Sequence, residues 1–185
     1  DDDGPADFHT IQAAITAASD GDIILVFSGI YNENLAVGKS LTLKGENAYT
    51  TIVNGSAAST TIHVTTDNVV LTNLTIKNGI TGVLIDSRYN NRIMGNVIVD
   101  NDDGVWIAFS SGNIICDNTI ARNTVGIYLD SSNNTTVNHN KITNNSYGID
   151  MENCEGTVVT ENKIDLSSIE GIFAYYSDDG RILRN

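Results

Sequence analysis

The chain has 185 residues, of which 41% are hydrophobic and 18% charged, with 10 Lys and Arg against 23 Asp and Glu for a net charge of −13. That size predicts one domain with a substantial core, and the hydrophobic share excludes a disordered chain. The acidity argues against nucleic acid or anionic membrane surfaces as partners, and no apolar run reaches the roughly 18 residues that membrane insertion needs. Two counts stand out: a single proline, Pro5, and 23 asparagines, all from Asn32 onward. A long proline-free stretch predicts a backbone whose N–H groups are nearly all hydrogen-bonded.

In chain order, Asp1-Asp2-Asp3 opens the sequence without Met or a signal-like stretch, as in a processed product or an excised piece. Residues 7–20 carry Phe8, Ile11, Ile15 and Ala18 at i, i+3, i+7 and i+10. This predicts a capping helix with Thr10 or Asp7 as N-cap and Gly21 as its stop, covering the open end of the first coil. Residues 22–67 hold the apolar pairs Ile24/Val26, Leu35/Val37, Leu41/Leu43 and Ile62/Val64 at irregular spacing, which predicts longer, looped coils.

From 68 to 185 the spacing becomes regular. Gly82, Gly104, Gly126, Gly148 and Gly171 are 22, 22, 22 and 23 residues apart, and Asn96, Asn118, Asn140, Asn162 and Asn185 keep the same intervals. Ile98, Ile120, Ile142 and Ile164 follow two residues after the asparagines, and Ile93, Ile115, Val137 and Val159 lie three before them. Columns kept in phase over five periods define a solenoid. Within each period apolar and polar residues alternate, as in strands. Three short strands per 22 residues predict an all-β fold: a right-handed, single-stranded parallel β-helix with coils about 4.8 Å apart. A leucine-rich repeat shares the period, but neither 131–136 nor 152–157 offers its leucine-bearing convex segment. The asparagine column is expected to be a buried corner ladder in left-handed backbone, and the glycine column a second corner. Ile182-Leu183-Arg184-Asn185 stops in mid-repeat without a cap, so 1–185 reads as one domain of a longer protein with an open, self-associating C-terminal edge.

The stretch DGPADFHTIQAAITAASDGDIILVFSGIYNENLAVGKSLTLKGENAYTTIVNG resembles the N-terminal region of pectate-lyase-like β-helix proteins. Within them it is most similar to the NosD-like, parallel β-helix repeat group of secreted and surface-layer-associated modules, often archaeal. Ser28-Gly29-Ile30-Tyr31 stands where many relatives carry Pro-Gly-Thr-Tyr. The resemblance implies an extracellular or cell-surface location. Because NosD itself is associated with copper delivery to nitrous oxide reductase, it also raises a role in copper-enzyme assembly through a partner. The catalytic elements of the wider group are incomplete. Asp102-Asp103-Gly104 echoes one polygalacturonase element without the matching Gly-His-Gly, and Arg181-Ile182-Leu183 lacks the lysine of another. Gln12 is the only glutamine where pectin methylesterases need several, and Arg88 and Arg92 do not match a lyase spacing.

Metal and thiol chemistry find little support. His9, His63 and His139 have no neighbouring His partner, Met94 and Met151 belong to different columns, and no cofactor is expected. Cys116 and Cys154 lie two coils apart and out of register, beyond disulfide reach. Asn54, Asn73, Asn133, Asn134 and Asn144 head glycosylation sequons, against about four expected by chance in this composition. Asp117, His139, Glu161 and Arg184 form a row just before the asparagines that reads as a solvated charge ladder.

The informative surface lies two and four residues after each glycine, where side chains should point outward. One column reads Leu84, Trp106, Tyr128, Asp150, Phe173, and the next reads Asp86, Ala108, Asp130, Glu152, Tyr175. Aromatics beside acids on a flat sheet suit sugar rings, so Trp106, Tyr128, Asp130, Asp150, Glu152, Phe173 and Tyr175 form a candidate site for a polysaccharide or cell-surface glycan. Asp130, Asp150 and Glu152 also present clustered oxygens of the kind calcium prefers. Catalysis would need one carboxyl desolvated, and an open face with short side chains should leave all three ionised. The expected function is thus a non-enzymatic structural or carbohydrate-recognition module, with a polysaccharide lyase or hydrolase as the alternative.

Overall fold

A computed structural model describes residues 7–185; Asp1–Ala6, with the acidic start and Pro5, lie outside the described residues. The helix is Ile11–Ala17, shorter than the expected 7–20. Thr10 is extended and its Oγ1 accepts from Ala13 N at 3.2 Å, the ordinary N-cap bond. A second cap comes from far along the chain: the Glu33 carboxylate accepts from Ile11 N at 2.9 Å and Gln12 N at 3.0 Å. At the other end Ala18 turns extended, and the Lys39 ammonium meets the Thr16 and Ala18 carbonyls. These tertiary ties fix both ends, leaving two turns that bury Ile11 and Ile15 over the first coil. Phe8 precedes the helix and is exposed instead of packing on its apolar face.

The remaining elements are short strands in three parallel sheets of eight, seven and seven strands. We call them A, B and C in the order a coil visits them. One regular coil runs Arg92–Met94, Val97–Val99, Asp103–Ala108 and then returns to sheet A at Ile114–Cys116. The sequence columns meet across coils: Ile93 pairs with Ile115, Ile98 with Ile120 and Val105 with Ile127. Their side chains are fully buried and form one core along the axis. The first coils are irregular, with Ile23 paired to Thr42 and Leu35 to Ile62.

Two corner assignments change. The left-handed residues are not the asparagines but those just before them: Gly95, Asp117, His139 and Glu161, with φ of 65°, 57°, 55° and 55°. This turn swings the following asparagine inward, where it is buried and bonded. Asn118 N and Nδ2 both donate to Asn140 Oδ1, at 3.0 and 2.9 Å, while Nδ2 also reaches Ile93 O at 2.9 Å. Asn96, Asn140 and Asn162 repeat the pattern. A second buried ladder, Asn101, Asn123 and Asn145, lines the corner between sheets B and C. It recurs at the same 22-residue interval and was equally visible in the sequence.

The glycines, in turn, are not corners; Gly104 lies inside the strand Asp103–Ala108. A Cβ there would sit 2.5 Å from Gly126 O and 3.1 Å from Ile120 Cγ2. Close approach of neighbouring coils, not backbone angle, excludes a side chain.

Candidate functional site

Alternation along each sheet C strand sends Val105 and Ile107 into the core and Trp106 outward. Parallel register then stacks Leu84, Trp106, Tyr128, Asp150 and Phe173 in one column and Asp86, Ala108, Asp130, Glu152 and Tyr175 in the next. A further column went unrecognised, though each member directly precedes a repeated glycine: Thr81, Asp103, Val125, Tyr147 and Glu170.

Trp106 and Tyr128 stack with ring centroids 5.8 Å apart and planes at 29°. Each lends a face to the other, as neighbours in one column can, and Trp106 Nε1 is buried without a partner. The open rings belong to the last coil. Phe173 and Tyr175 are 36% and 50% exposed, nearly parallel at 11° with centroids 6.5 Å apart, and Tyr176 tilts against Tyr175 at 4.1 Å.

The carboxylates are not equivalent. Asp130 accepts from Ser131 Oγ at 2.9 Å, and Glu152 accepts from the Tyr128 hydroxyl at 3.2 Å. Burial first, then the charges of Glu152, Asp130 and Asp150, push the Tyr128 hydroxyl up to about 12. Asp150 departs from expectation. Its Oδ1 is buried with no partner, and burial, followed by the charges of Glu152 and Glu170, raises its carboxyl above the ordinary aspartate value. Its register partners on the neighbouring coils are the large rings of Tyr128 and Phe173.

Other candidates resolve as structure. His139 Nε2 lies 2.6 Å from Glu161, and Arg184 lies 3.3 Å from the same carboxylate, all exposed on the left-handed corner row. Cys116 and Cys154 are free and buried, and burial raises both thiols. The concave spaces are elsewhere. A groove of about 800 Å³ follows the corner between sheets B and C, where Arg122 grips Asp100 at 2.7 and 2.9 Å. An apolar hollow of about 560 Å³ separates the helix from the first strand, lined by Ile11, Ile23, Leu25 and Tyr31. The face bearing Trp106, Tyr128, Asp150 and Phe173 lines neither and is the outer face of a parallel sheet.

Seven or so stacked coils of three parallel strands define a single-stranded parallel β-helix protein. Within that class, residues 15–185 match the family described as "Periplasmic copper-binding protein (NosD)", and the chain belongs to it. A cell surface glycoprotein of Methanothermus fervidus is 36% identical over 108 residues, which cover 57% of this chain and 17% of that protein. The chain thus spans under a fifth of that relative. Among solved structures, pectin methylesterase from carrot superposes with a TM-score of 0.75 at 16% identity, covering 98% of this chain and 70% of that one. An alginate lyase from Paenibacillus reaches 0.61 at 19%, covering 82% and 72%. At these identities the likeness is one of fold alone.

The described residues do not fit a copper site. Among them no three His, Cys, Asp or Glu side chains come together as a cation-holding group, Asp130, Asp150 and Glu152 included. Met94 and Cys116 are register partners on sheet A, but burial raises the Cys116 thiol, which disfavours the thiolate that a soft metal binds.

Proposed function

We propose that this chain is a cell-surface β-helix module whose outer sheet C face binds extended carbohydrate without altering it. The carrying observation is the register of aromatic and carboxylate columns on a flat face outside both concave spaces. Rings offer sugars apolar contact, carboxylates accept hydroxyl hydrogens, and coils about 4.8 Å apart repeat the arrangement along the axis. A flat face favours a polymer over an enclosed small molecule, since pockets, not planes, bury small ligands. The similarity to a cell surface glycoprotein supports the surface location. The test is titration with a glycan panel, following calorimetric heat and the fluorescence of Trp106, the only tryptophan. Millimolar-range saturation without new reducing ends is expected, and no response from any glycan overturns the reading.

A hydrolytic reading is favoured by one observation, the raised carboxyl of Asp150 beside Glu152. A proton-donating acid and a second carboxylate are the parts a glycosidase needs. Bond cleavage that disappears in Asp150→Asn while binding persists would replace the non-catalytic proposal with this one.

A further inference from the structure

Charge is segregated by sheet. The five strands of sheet C from Thr81–Asp86 to Glu170–Tyr175 carry Asp86, Asp103, Asp130, Asp150, Glu152 and Glu170 and no Lys, Arg or His. The strand-borne Lys and Arg lie on the other sheets, Lys44, Arg92 and Arg181 on A and Lys77, Lys141 and Lys163 on B, while His63 sits on an earlier strand of sheet C, beside Leu84. The two arginines beside these five strands are engaged elsewhere. Arg88 donates to the Thr65 and Ser87 carbonyls, and Arg122 is held bidentate by Asp100.

Two features say what would complete this face. Asp150 is partly exposed, so a cationic N–H donor can approach its carboxylate, whose buried Oδ1 has no donor within the described residues. One strand on, Phe173 and Tyr175 offer open, nearly parallel rings beside Asp150 and Glu152. Rings next to carboxylates favour a ligand with an apolar ring face and a cationic edge. An anionic polymer meets only repulsion there.

Building on the carbohydrate reading above, we propose that the ligand is an amino-sugar polymer bearing free ammonium groups. It lies along the solenoid axis with its ammonium groups on Asp130, Asp150 and Glu152 and a sugar ring on Phe173 and Tyr175.

The test compares glucosamine hexamer, its fully N-acetylated form, cellohexaose, oligogalacturonate and hexalysine by calorimetry at two salt concentrations. Glucosamine hexamer is expected to bind about tenfold more tightly than the acetylated or neutral hexamers, and to lose that margin at high salt. Oligogalacturonate should not bind. Asp130→Asn/Glu152→Gln should abolish the margin with an unchanged circular dichroism spectrum, and Arg92→Gln on sheet A should leave it intact. Equal binding of the neutral and amino hexamers overturns this inference while leaving the carbohydrate reading standing. Equal binding of hexalysine makes the occupant a basic peptide and overturns it as well. Silence from every saccharide defeats both.

Discussion

Asn118 uses its whole amide: Oδ1 accepts from the coil before, and Nδ2 donates to the coil after and to the Ile93 carbonyl. Leucine fills the volume but strands those buried groups, so Asn118→Leu and Asn140→Leu should each cost roughly 1–3 kcal/mol, read as a lowered denaturation midpoint. Asp150 behaves in the opposite sense. Its native pKa lies above the ordinary 3.8, so the folded chain binds more protons than the unfolded one in the window between them. Stability therefore falls as pH rises through that window and stays reduced above it. Asp150→Asn should raise the melting temperature at pH 7, and the gain should vanish on acidification below the aspartate range. The asparagine column was legible because only a buried amide explains so polar a residue at so fixed a period. The left-handed corner beside it was only partly legible: Gly95, Asp117 and His139 are types that tolerate that backbone, but Glu161 and Arg184 in the same row are not.

At the scale of elements, the glycines and the helix illustrate two kinds of legibility. A repeated glycine announced a site closed to side chains, but not whether angle or crowding closed it. Since crowding does, Gly104→Ala should force neighbouring coils apart and destabilise by about 1–3 kcal/mol, measured by urea unfolding. Strand periodicity transferred directly into the three sheets because each apolar column has a register partner above and below. Helix length did not transfer, since Glu33 and Lys39, both outside the helix, determine its ends. Glu33→Gln removes the charge that meets two free N–H groups at the helix start, and should lower stability by about 1 kcal/mol, as loss of a cap does. The candidate site was legible as columns, because strand register follows from the repeat. Ring orientation and the burial of Asp150 were not, because they depend on how neighbouring coils pack.

Across the whole molecule, the coil Lys163–Asp165, Glu170–Tyr175, Arg181–Leu183 pairs on one side only, leaving Ile182 and Leu183 about half exposed. Unpaired strand edges with apolar side chains template association. The 185-residue chain is expected to self-associate end to end, seen as a concentration-dependent sedimentation coefficient; Ile182→Lys/Leu183→Lys should abolish it, and a concentration-independent monomer would refute it. The regular coils also have a genetic consequence. Because each 22-residue unit closes its own turn and hands the next the same amides, glycine and core residues, an in-frame copying error of one whole repeat lengthens or shortens the rod without creating a foreign junction. An odd-numbered insertion within a strand moves inward-facing residues to the outside, whereas a corner can absorb extra residues, as it does around Ser167–Ser168, where the interval becomes 23. Length is therefore the property that this architecture lets evolution change most freely, and the number of ligand-facing rows changes with it.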